Sequence, residues 1–158
     1  MNVDEATMRD VTALVDMRLK YLREDHGGLD AEVEAAVSRA LPGYFQAHLG
    51  RDLFAYVIRE GHSIVSCAFL LIVEKPMSPA FPNGKTGIVL NVYTRPSHRR
   101  RGFAGRIMAA LTDAAMAMDL SVVELKATQD GYPLYRKAGF HDDPSKYRPM
   151  RWENRHDR

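Results

Sequence analysis

The N-terminal third of the chain carries apolar positions with the period of a helix. Apolar side chains recur every three or four residues in two segments, which predicts helices over about 8–23 and 30–50. Thr7 followed by Asp10 resembles a capping box at the start of the first segment, and a pair of glycines separates the two. Pro42 stands inside the second segment, so we expect that helix to be split or kinked there.

The pattern then changes to that of β-strands. Residues 54–59 and 64–73 are rich in β-branched and aromatic side chains around a Glu-Gly-His turn, which predicts a hairpin. Residues 75–85 contain three prolines and an Asn-Gly pair, so we expect an irregular loop that is a candidate lid. Residues 86–94 form a continuous apolar run, typical of a central strand covered on both faces, in which Asn91 is the odd member.

The last third returns to mixed elements. Its apolar spacing predicts a helix over about 102–118, a buried strand over 121–127 and a short helix over 131–138. A final strand is predicted at 147–152, before a polar tail at 153–158 that we expect to be mobile. The order α, α, β, β, β, α, β, α, β, with a strand–helix–strand crossover, predicts an α/β fold with a mixed sheet and helices on both faces.

Size and composition limit the classes of protein that fit. The chain has 158 residues, 46% of them hydrophobic, so we expect residues 1–158 to form a single domain with an ordinary core. Lys and Arg exceed Asp and Glu by only 22 to 20, too near balance for a surface that binds nucleic acid or anionic lipid throughout. Without zinc-type spacings, a membrane-length apolar run or a leader, we expect no metal, no membrane contact and a cytoplasmic location.

The lone Cys67 lies in an apolar strand segment. It cannot form a disulfide within the chain, and an apolar surrounding raises the pKa of a thiol. We therefore expect a structural side chain here, not an acyl-carrying nucleophile.

The most informative stretch is 91–106, where a buried strand ends, turns at Pro96 and enters a helix through small residues. The first N–H groups of a helix have no internal partner, and the helix dipole is positive there. Gly102, Ala104 and Gly105 let the backbone approach a pyrophosphate, and the neighbouring arginines add charge. The stretch therefore predicts phosphate binding. Two alternatives stay open at this point, a solvated turn that only packs helix on sheet and a nucleic-acid patch.

Three motifs resemble those of the GNAT family, the GCN5-related N-acetyltransferases. Arg99, Gly102 and Ala104 match the family's Q/R-x-x-G-x-G/A motif. Residues 134–140, Leu-Tyr-Arg-Lys-Ala-Gly-Phe, match its LYxxxGF signature, and residues 6–10 are similar to its usual opening. The resemblance implies an acyl-CoA N-acyltransferase fold whose mostly antiparallel sheet is splayed at the cofactor site, with acetyl-CoA as the acetyl donor.

The same resemblance implies a set of cofactor contacts. The backbone of Val92, Tyr93 and Thr94 would pair with the pantetheine arm and the acetyl group, for which a bulged strand is suited. The loop that follows would cradle the pyrophosphate with its N–H groups, and an arginine at its end would lie near the 3′-phosphate. The residues implied in that loop are Arg99, Arg100, Arg101, Gly102, Phe103, Ala104, Gly105 and Arg106.

Two residues are the catalytic candidates. Tyr135 matches the family's tyrosine near the CoA sulfur, where its phenol would act as a general acid toward the departing thiolate. Asn91 stands in the strand where many relatives place a glutamate base; an amide is no base, although its oxygen can orient the amine or a relay water. Glu74, Glu124 and Asp130 are the nearby carboxylates, and deprotonation through water also stays open.

The acceptor is expected to be a primary amine of a small molecule. Its pocket should draw on residues 22–50, the 75–85 loop and the C-terminal strand with Tyr147 and Trp152. A protein amino terminus or lysine is an alternative acceptor, and an acyl-CoA sensor without turnover is an alternative function. We expect no nucleic acid or membrane partner and allow for a homodimer. The aromatic and acidic candidates of the pocket, which would suit a small cationic amine, are Tyr44, Phe45, Phe81, Glu24, Asp25 and Glu74.

Overall fold

A computed structural model describes residues 1–154. The predicted mobile tail lies mostly outside the described residues, since it includes 155–158. In chain order the elements are strand β1 (Val3–Glu5), a 3₁₀ turn (Met8–Asp10), helices α1 (Val11–Asp25) and α2 (Ala31–His48), strands β2 (Leu53–Glu60), β3 (Ser63–Glu74) and β4 (Lys85–Thr94), a 3₁₀ turn (Pro96–His98), helix α3 (Phe103–Ala117), strand β5 (Val122–Glu124) and helix α4 (Tyr132–Lys137).

The five strands form one mixed sheet in the order β1-β2-β3-β4-β5. The first four are antiparallel to their neighbours, whereas β5 pairs parallel to β4. A parallel pair requires a crossover, which α3 supplies between β4 and β5. The predicted mixed sheet and its crossover are confirmed.

Helices cover both faces of the sheet, as predicted. On one face α1 and α2 bury Leu14 and Phe45 against side chains of β3 such as Phe69. On the other face α3 buries Ile107 against Leu70 of the same strand. Both faces of β3 are therefore apolar, which explains its nearly continuous hydrophobic sequence. No helix within residues 1–154 is long and apolar enough to cross a membrane.

Helix α2 runs unbroken through Pro42, so of the two expected effects, a split or a kink, the split does not occur. Proline removes one backbone donor from the helix, but packing on both sides can hold the two halves together as one helix. Phe45 is buried in the core just after Pro42, and Leu41 packs against the same cluster just before it. The packing of these neighbours in the core therefore outweighs the helix-breaking effect of Pro42.

The ends of the chain also differ from expectation. The predicted strand at 147–152 is absent from the described residues, and its Tyr147 and Trp152 side chains are 76% and 83% exposed. Pro149 lies in the middle of this segment and can donate no ladder hydrogen bond. Conversely β1 was not predicted, because its three residues are mostly polar. It becomes a strand only by pairing with β2.

Candidate active site

Strands β4 and β5 separate after three paired positions. Thr86, Gly87 and Ile88 pair with Val122, Val123 and Glu124, and no pair follows. Strand β5 accordingly ends at Glu124 rather than at the predicted residue 127. Beyond this point the chain after β5 diverges from β4, which confirms the expected splayed sheet. It also leaves one backbone edge of β4 without a strand partner among the described residues.

The gap between the two strands is a cleft of about 790 Å³. Strand β4 forms one wall, the segment after β5 the other, and the end of α1 borders the opening. Tyr21 in this border was not predicted, because nothing in its local sequence marks it as facing a strand far along the chain. The lining residues are Tyr21, Glu24, Asp25, 88–93, Glu124, Leu125, Lys126, Thr128, Asp130 and Tyr135.

Strand β4 carries a β-bulge in the cleft wall. Its pairing with β3 shifts register between Cys67 and Phe69, which face Tyr93 and Leu90. Two residues of β4 therefore oppose one of β3, as in a bulge. Asn91 is one of the two and has φ +55°. Asparagine tolerates this left-handed conformation better than most residues, which gives the odd polar member of the strand a structural reason.

Asn91 is 2% exposed, and its side chain is hydrogen-bonded at both its oxygen and its nitrogen. Its Oδ1 accepts a hydrogen bond from Nη1 of Arg18 at 3.2 Å, and its Nδ2 donates to Sγ of Cys67 at 3.6 Å. The Cys67 thiol in turn faces the Asn91 carbonyl oxygen at 3.6 Å. These contacts join the bulge to α1 and to β3. Burial raises the pKa of Cys67 to about 12, which agrees with its expected role as a structural side chain.

The turn that leads into α3 presents six consecutive unpartnered donors. Among the described residues, the backbone N–H groups of residues 100–105 have no acceptor. Arg100 and Gly102 have φ +62° and +79°, and Gly102 caps the helix without a side-chain hydrogen bond. Successive N–H groups at a helix start form an anion site, because the donors converge and the dipole is positive. The turn thus fits the pyrophosphate that the sequence predicts here.

Arg99 connects the turn at residues 100–105, called the phosphate turn below, to α1. Its Nε donates to the carbonyl of Thr94 at 2.8 Å, and its Nη2 donates to Oε2 of Glu24 at 2.6 Å. Its guanidinium also lies 5.4 Å from the centre of the Tyr93 ring. The first residue of the motif therefore braces β4 and neutralises an acid of the cleft.

The other three arginines of the motif face outward. Arg100 is exposed, and Arg101 lies over the Phe103 ring at 4.9 Å. Arg106 donates to the main-chain carbonyl of Met1. The structure therefore places Arg106 against the N-terminal segment.

Tyr135 reaches the cleft from α4. Its ring packs edge-on against Phe140 at 6.3 Å and lies beside Gly131, where a Cβ would come within 3.0 Å of it. Burial raises the pKa of the Tyr135 phenol, and the facing Tyr21 adds to the effect. The phenol therefore stays protonated through the neutral range and can serve as a proton donor.

Two of the three candidate carboxylates lie in the cleft. Glu124 and Asp130 line it on the β5 side, whereas Glu74 ends β3 and pairs in register with Lys85, away from the lining residues. Glu24 also lines the cleft but is bound by Arg99.

The loop at 75–84 is anchored away from the cleft. Lys75 and Gly84 are joined by a backbone hydrogen bond of 2.8 Å, and Nδ2 of Asn83 donates to the carbonyl of Asp119 at 2.7 Å. The loop thus lies at the closed end of the β4–β5 pair, and none of its residues, Phe81 included, lines the cleft.

Of the acceptor-pocket candidates on α2, Phe45 is a core residue. Tyr44 is partly exposed and stacks on His48 with 4.6 Å between ring centres.

The splayed β4–β5 pair, the bulged strand and the turn with unpartnered N–H groups are the arrangement expected of an acyltransferase that takes its acyl group from a CoA thioester. The model of the acetyltransferase (GNAT) family matches residues 13–140. The chain belongs to the GNAT family and is an acetyl-CoA-dependent N-acetyltransferase. No curated protein matches the chain.

Solved structures agree with this fold. A predicted acetyltransferase from Clostridium acetobutylicum, solved with acetyl-CoA, is 24% identical, with 95% of each chain covered and a TM-score of 0.80. A GCN5-related N-acetyltransferase from Ralstonia eutropha JMP134 is 26% identical, covering 94% of this chain and 97% of its own, with a TM-score of 0.76. A ribosomal-protein-alanine N-acetyltransferase from Brucella melitensis biovar Abortus 2308 is 20% identical, covering 96% and 100%, with a TM-score of 0.69.

Proposed function

We propose that the protein transfers the acetyl group of acetyl-CoA to the primary amine of a small molecule, which attacks the thioester directly in a ternary complex. The observation that carries this proposal is the cleft between β4 and β5, which has Tyr135 in its wall, together with the backbone N–H groups of residues 100–105, which lie in the turn after β4 without acceptors among the described residues. A cleft bounded by α1, β4 and the segment after β5 suits a small acceptor better than a folded protein surface.

The cofactor would lie along β4. The backbone N–H groups of 100–105 would bind the pyrophosphate, and the free edge of Val92, Tyr93 and Thr94 would hydrogen-bond the pantetheine arm. Support for the second contact is that, within residues 1–154, β4 has no strand partner on this edge after Ile88. An unpaired strand edge readily accepts an extended ligand as an additional strand.

Acetyl-CoA supplies an acetyl carbonyl carbon that the amine nitrogen attacks as the carbon–sulfur bond breaks. Tyr135 would donate its phenolic proton to the departing sulfur. An N–H group at the β4 bulge would stabilise negative charge on the acetyl oxygen. Asn91 would hold that bulge in place rather than take a proton, since its oxygen already accepts from Arg18.

The proton of the amine would leave through water in the cleft. Glu124 and Asp130 lie on the β5 wall and would receive it. The net proton movement is from the amine to the CoA thiol, so Tyr135 is restored after each cycle and no further reactant is needed.

The test follows CoA thiol release from acetyl-CoA with polyamines, amino acids, aminoglycosides and short peptides. We expect at least one small amine to respond, and Tyr135→Phe to lower kcat about 100-fold, the smallest contribution typical of a general acid. Tyr132→Phe is the matched control, because Tyr132 lies on the same helix but is exposed and donates to Asp142. It should retain full activity.

Other outcomes would redirect the proposal. Response to peptides alone would make a protein amino terminus the acceptor. Absence of turnover with every amine, together with a rise in Tm on adding acetyl-CoA, would make the protein a sensor of acyl-CoA, because a ligand that binds only the native state stabilises it.

A further inference from the structure

Arg18 differs from the other partly buried arginines of the chain. Within residues 1–154 three arginine side chains are neither exposed nor fully buried, namely Arg18, Arg59 and Arg95. Arg59 and Arg95 each pair with an aspartate at 3.2 Å or closer. Arg18 has no carboxylate within ion-pair distance among the described residues. Its hydrogen bond goes to the neutral amide of Asn91.

Partial burial without a counter-charge is costly for a guanidinium, because it loses water without gaining an anion. The hydrogen bond to Asn91 uses one of its five N–H donors and compensates little of the charge. A group of this kind is ready to bind an anion in the planar, two-pronged geometry that guanidinium favours.

Arg18 is not itself a lining residue of the cleft, but it contacts two residues that are, so its free charge lies next to the cleft. Asn91 and Tyr21, which Arg18 contacts, both line the cleft, and the Arg18 guanidinium lies 5.8 Å from the centre of the Tyr21 ring. The charge of Arg18 also reaches Tyr44 on α2: burial and then Asp52 raise the pKa of the Tyr44 hydroxyl, and Arg18 opposes them. Tyr21 is the phenol in contact with the guanidinium, and it adds a neutral donor beside the charge.

The charges around the cleft are divided between its two walls. On the α1 side Glu24 is neutralised by Arg99 at 2.6 Å, and Asp25 lies about two helical turns from Arg18 at the end of α1. Glu124, Lys126 and Asp130 lie on the opposite wall, whose formal charge is therefore negative. An acceptor with both an ammonium and an anionic group would place the ammonium toward this wall and the anionic group toward Arg18.

We propose that the acceptor amine carries an anionic oxyacid group, a carboxylate or a phosphate, which Arg18 binds; this specificity rests on the proposed function. It replaces the cationic amine that the aromatic and acidic residues suggested from sequence. Arg18 is then a specificity residue, which binds the part of the acceptor that does not react.

The experiment compares matched amines with and without the charge. The pairs are β-alanine with β-alaninamide and 2-aminoethyl phosphate with 2-aminoethanol, with rates corrected for the fraction of neutral amine. Steady-state constants are measured for the native protein, Arg18→Gln, Arg18→Lys and Arg39→Gln. Arg39 is an exposed arginine of α2 without a partner among the described residues, so its variant controls for the loss of one positive charge.

We expect the native protein to prefer the charged member of at least one pair by about tenfold or more in kcat/KM, mainly through KM. The pair that responds identifies the group as carboxylate or phosphate. Arg18→Gln should abolish the preference, Arg18→Lys should restore part of it, and Arg39→Gln should leave it intact. Because Arg18 also holds Asn91, a general loss of kcat is expected in Arg18→Gln, but it affects both members of a pair and cancels in their ratio.

The two proposals fail in different ways. Turnover without preference for the charged members, or a preference that survives in Arg18→Gln, would overturn the role of Arg18 and leave the acetyltransferase proposal in place. No turnover of these amines or of the wider panel would overturn the proposed function and this inference together.

Discussion

At the scale of single residues, Cys67 couples a buried thiol to the shape of the cleft wall. It contacts the Asn91 amide and carbonyl, and burial raises its pKa to about 12 from an ordinary value of 9.0. Between these values the native state keeps the thiol proton while the unfolded chain loses it. The free energy of unfolding therefore falls as pH rises above 9, because ionisation favours the unfolded state.

We expect this effect to disappear in Cys67→Ala. Between pH 8 and pH 10 the native protein should lose about 1.4 kcal/mol more stability than the variant, which is the value of one pKa unit. Tyr56, whose pKa burial also raises to about 12, contributes equally to both proteins. Urea unfolding at the two pH values measures the difference. Equal losses in the two proteins would mean that the thiol is not protected in the native state.

At the scale of elements, the closed end of the β4–β5 pair depends on Gly87. A Cβ at this position would come within 2.8 Å of Leu70 Cδ1 and 3.1 Å of Leu120 Cδ1. Gly87 pairs with Val123, one position before the last β4–β5 pair. The absence of a side chain therefore lets β3, β4 and the turn after α3 meet closely at the closed end of this pair.

Gly87→Ala should destabilise the fold by about 1–3 kcal/mol, the usual cost of overpacking. The matched control is Gly43→Ala in α2, where a Cβ meets nothing within 4 Å. That variant should gain up to about 1 kcal/mol, since alanine is the better helix former. Thermal unfolding of the three proteins gives both changes. A stable Gly87→Ala variant would show that Leu70 and Leu120 move aside without cost.

The helices and strands also show how far the fold can be predicted from the sequence. Strand β4, helix α3 and the hairpin lie within one or two residues of expectation, because their apolar periods are long. Among the strands, the predictions fail for the short ones: β1 is not predicted, β5 is shorter than predicted, and the predicted strand at 147–152 is absent from the described residues. A short strand is defined by its pairing partner more than by its own side chains.

In the candidate site, sequence motifs point to the parts that are built from one continuous segment of the chain. The phosphate turn and Tyr135 lie within continuous segments whose geometry their own residues dictate. Arg18 and Tyr21 could not be found in this way. Arg18 meets Asn91 across 73 positions of sequence, and on α1 both residues look like ordinary members of an amphipathic helix.

At the scale of the whole molecule, Asp10 joins the N-terminal segment to the sheet. It is 9% exposed, accepts hydrogen bonds from Arg59 of β2 at 2.7 and 2.9 Å, and accepts another from the Thr7 backbone at 2.8 Å. The Arg59 hydrogen bonds hold the pKa of Asp10 below its ordinary value of 3.8. The stabilisation is therefore complete above that pH and is lost as the pH falls through the lowered pKa.

Asp10→Asn should cost about 1–3 kcal/mol at pH 7, since it removes the carboxylate that binds Arg59 at two points and leaves the partly buried guanidinium with Asp4, at 3.4 Å, as its carboxylate partner. The difference in the free energy of unfolding between the two proteins should narrow below pH 4, because Asp10 of the unfolded chain takes up a proton there while the native state, with its lowered pKa, does so only at lower pH. Asp113→Asn is the control, because Asp113 is exposed on α3 without a partner among the described residues, and it should change stability little. Guanidinium unfolding at pH 7 and pH 3 tests the prediction. A constant difference at the two pH values would contradict it.

The burial of the lone cysteine has a practical consequence for spectroscopy. A thiol that is inert in the native state does not consume maleimide dyes at neutral pH. A second cysteine introduced on the surface would therefore be labelled alone, without first removing the native one. Lys126 is exposed and lines the cleft, so Lys126→Cys would attach a single environment-sensitive fluorophore beside the cofactor path. Its emission would give the association rate of acetyl-CoA by stopped flow, before any acceptor is known.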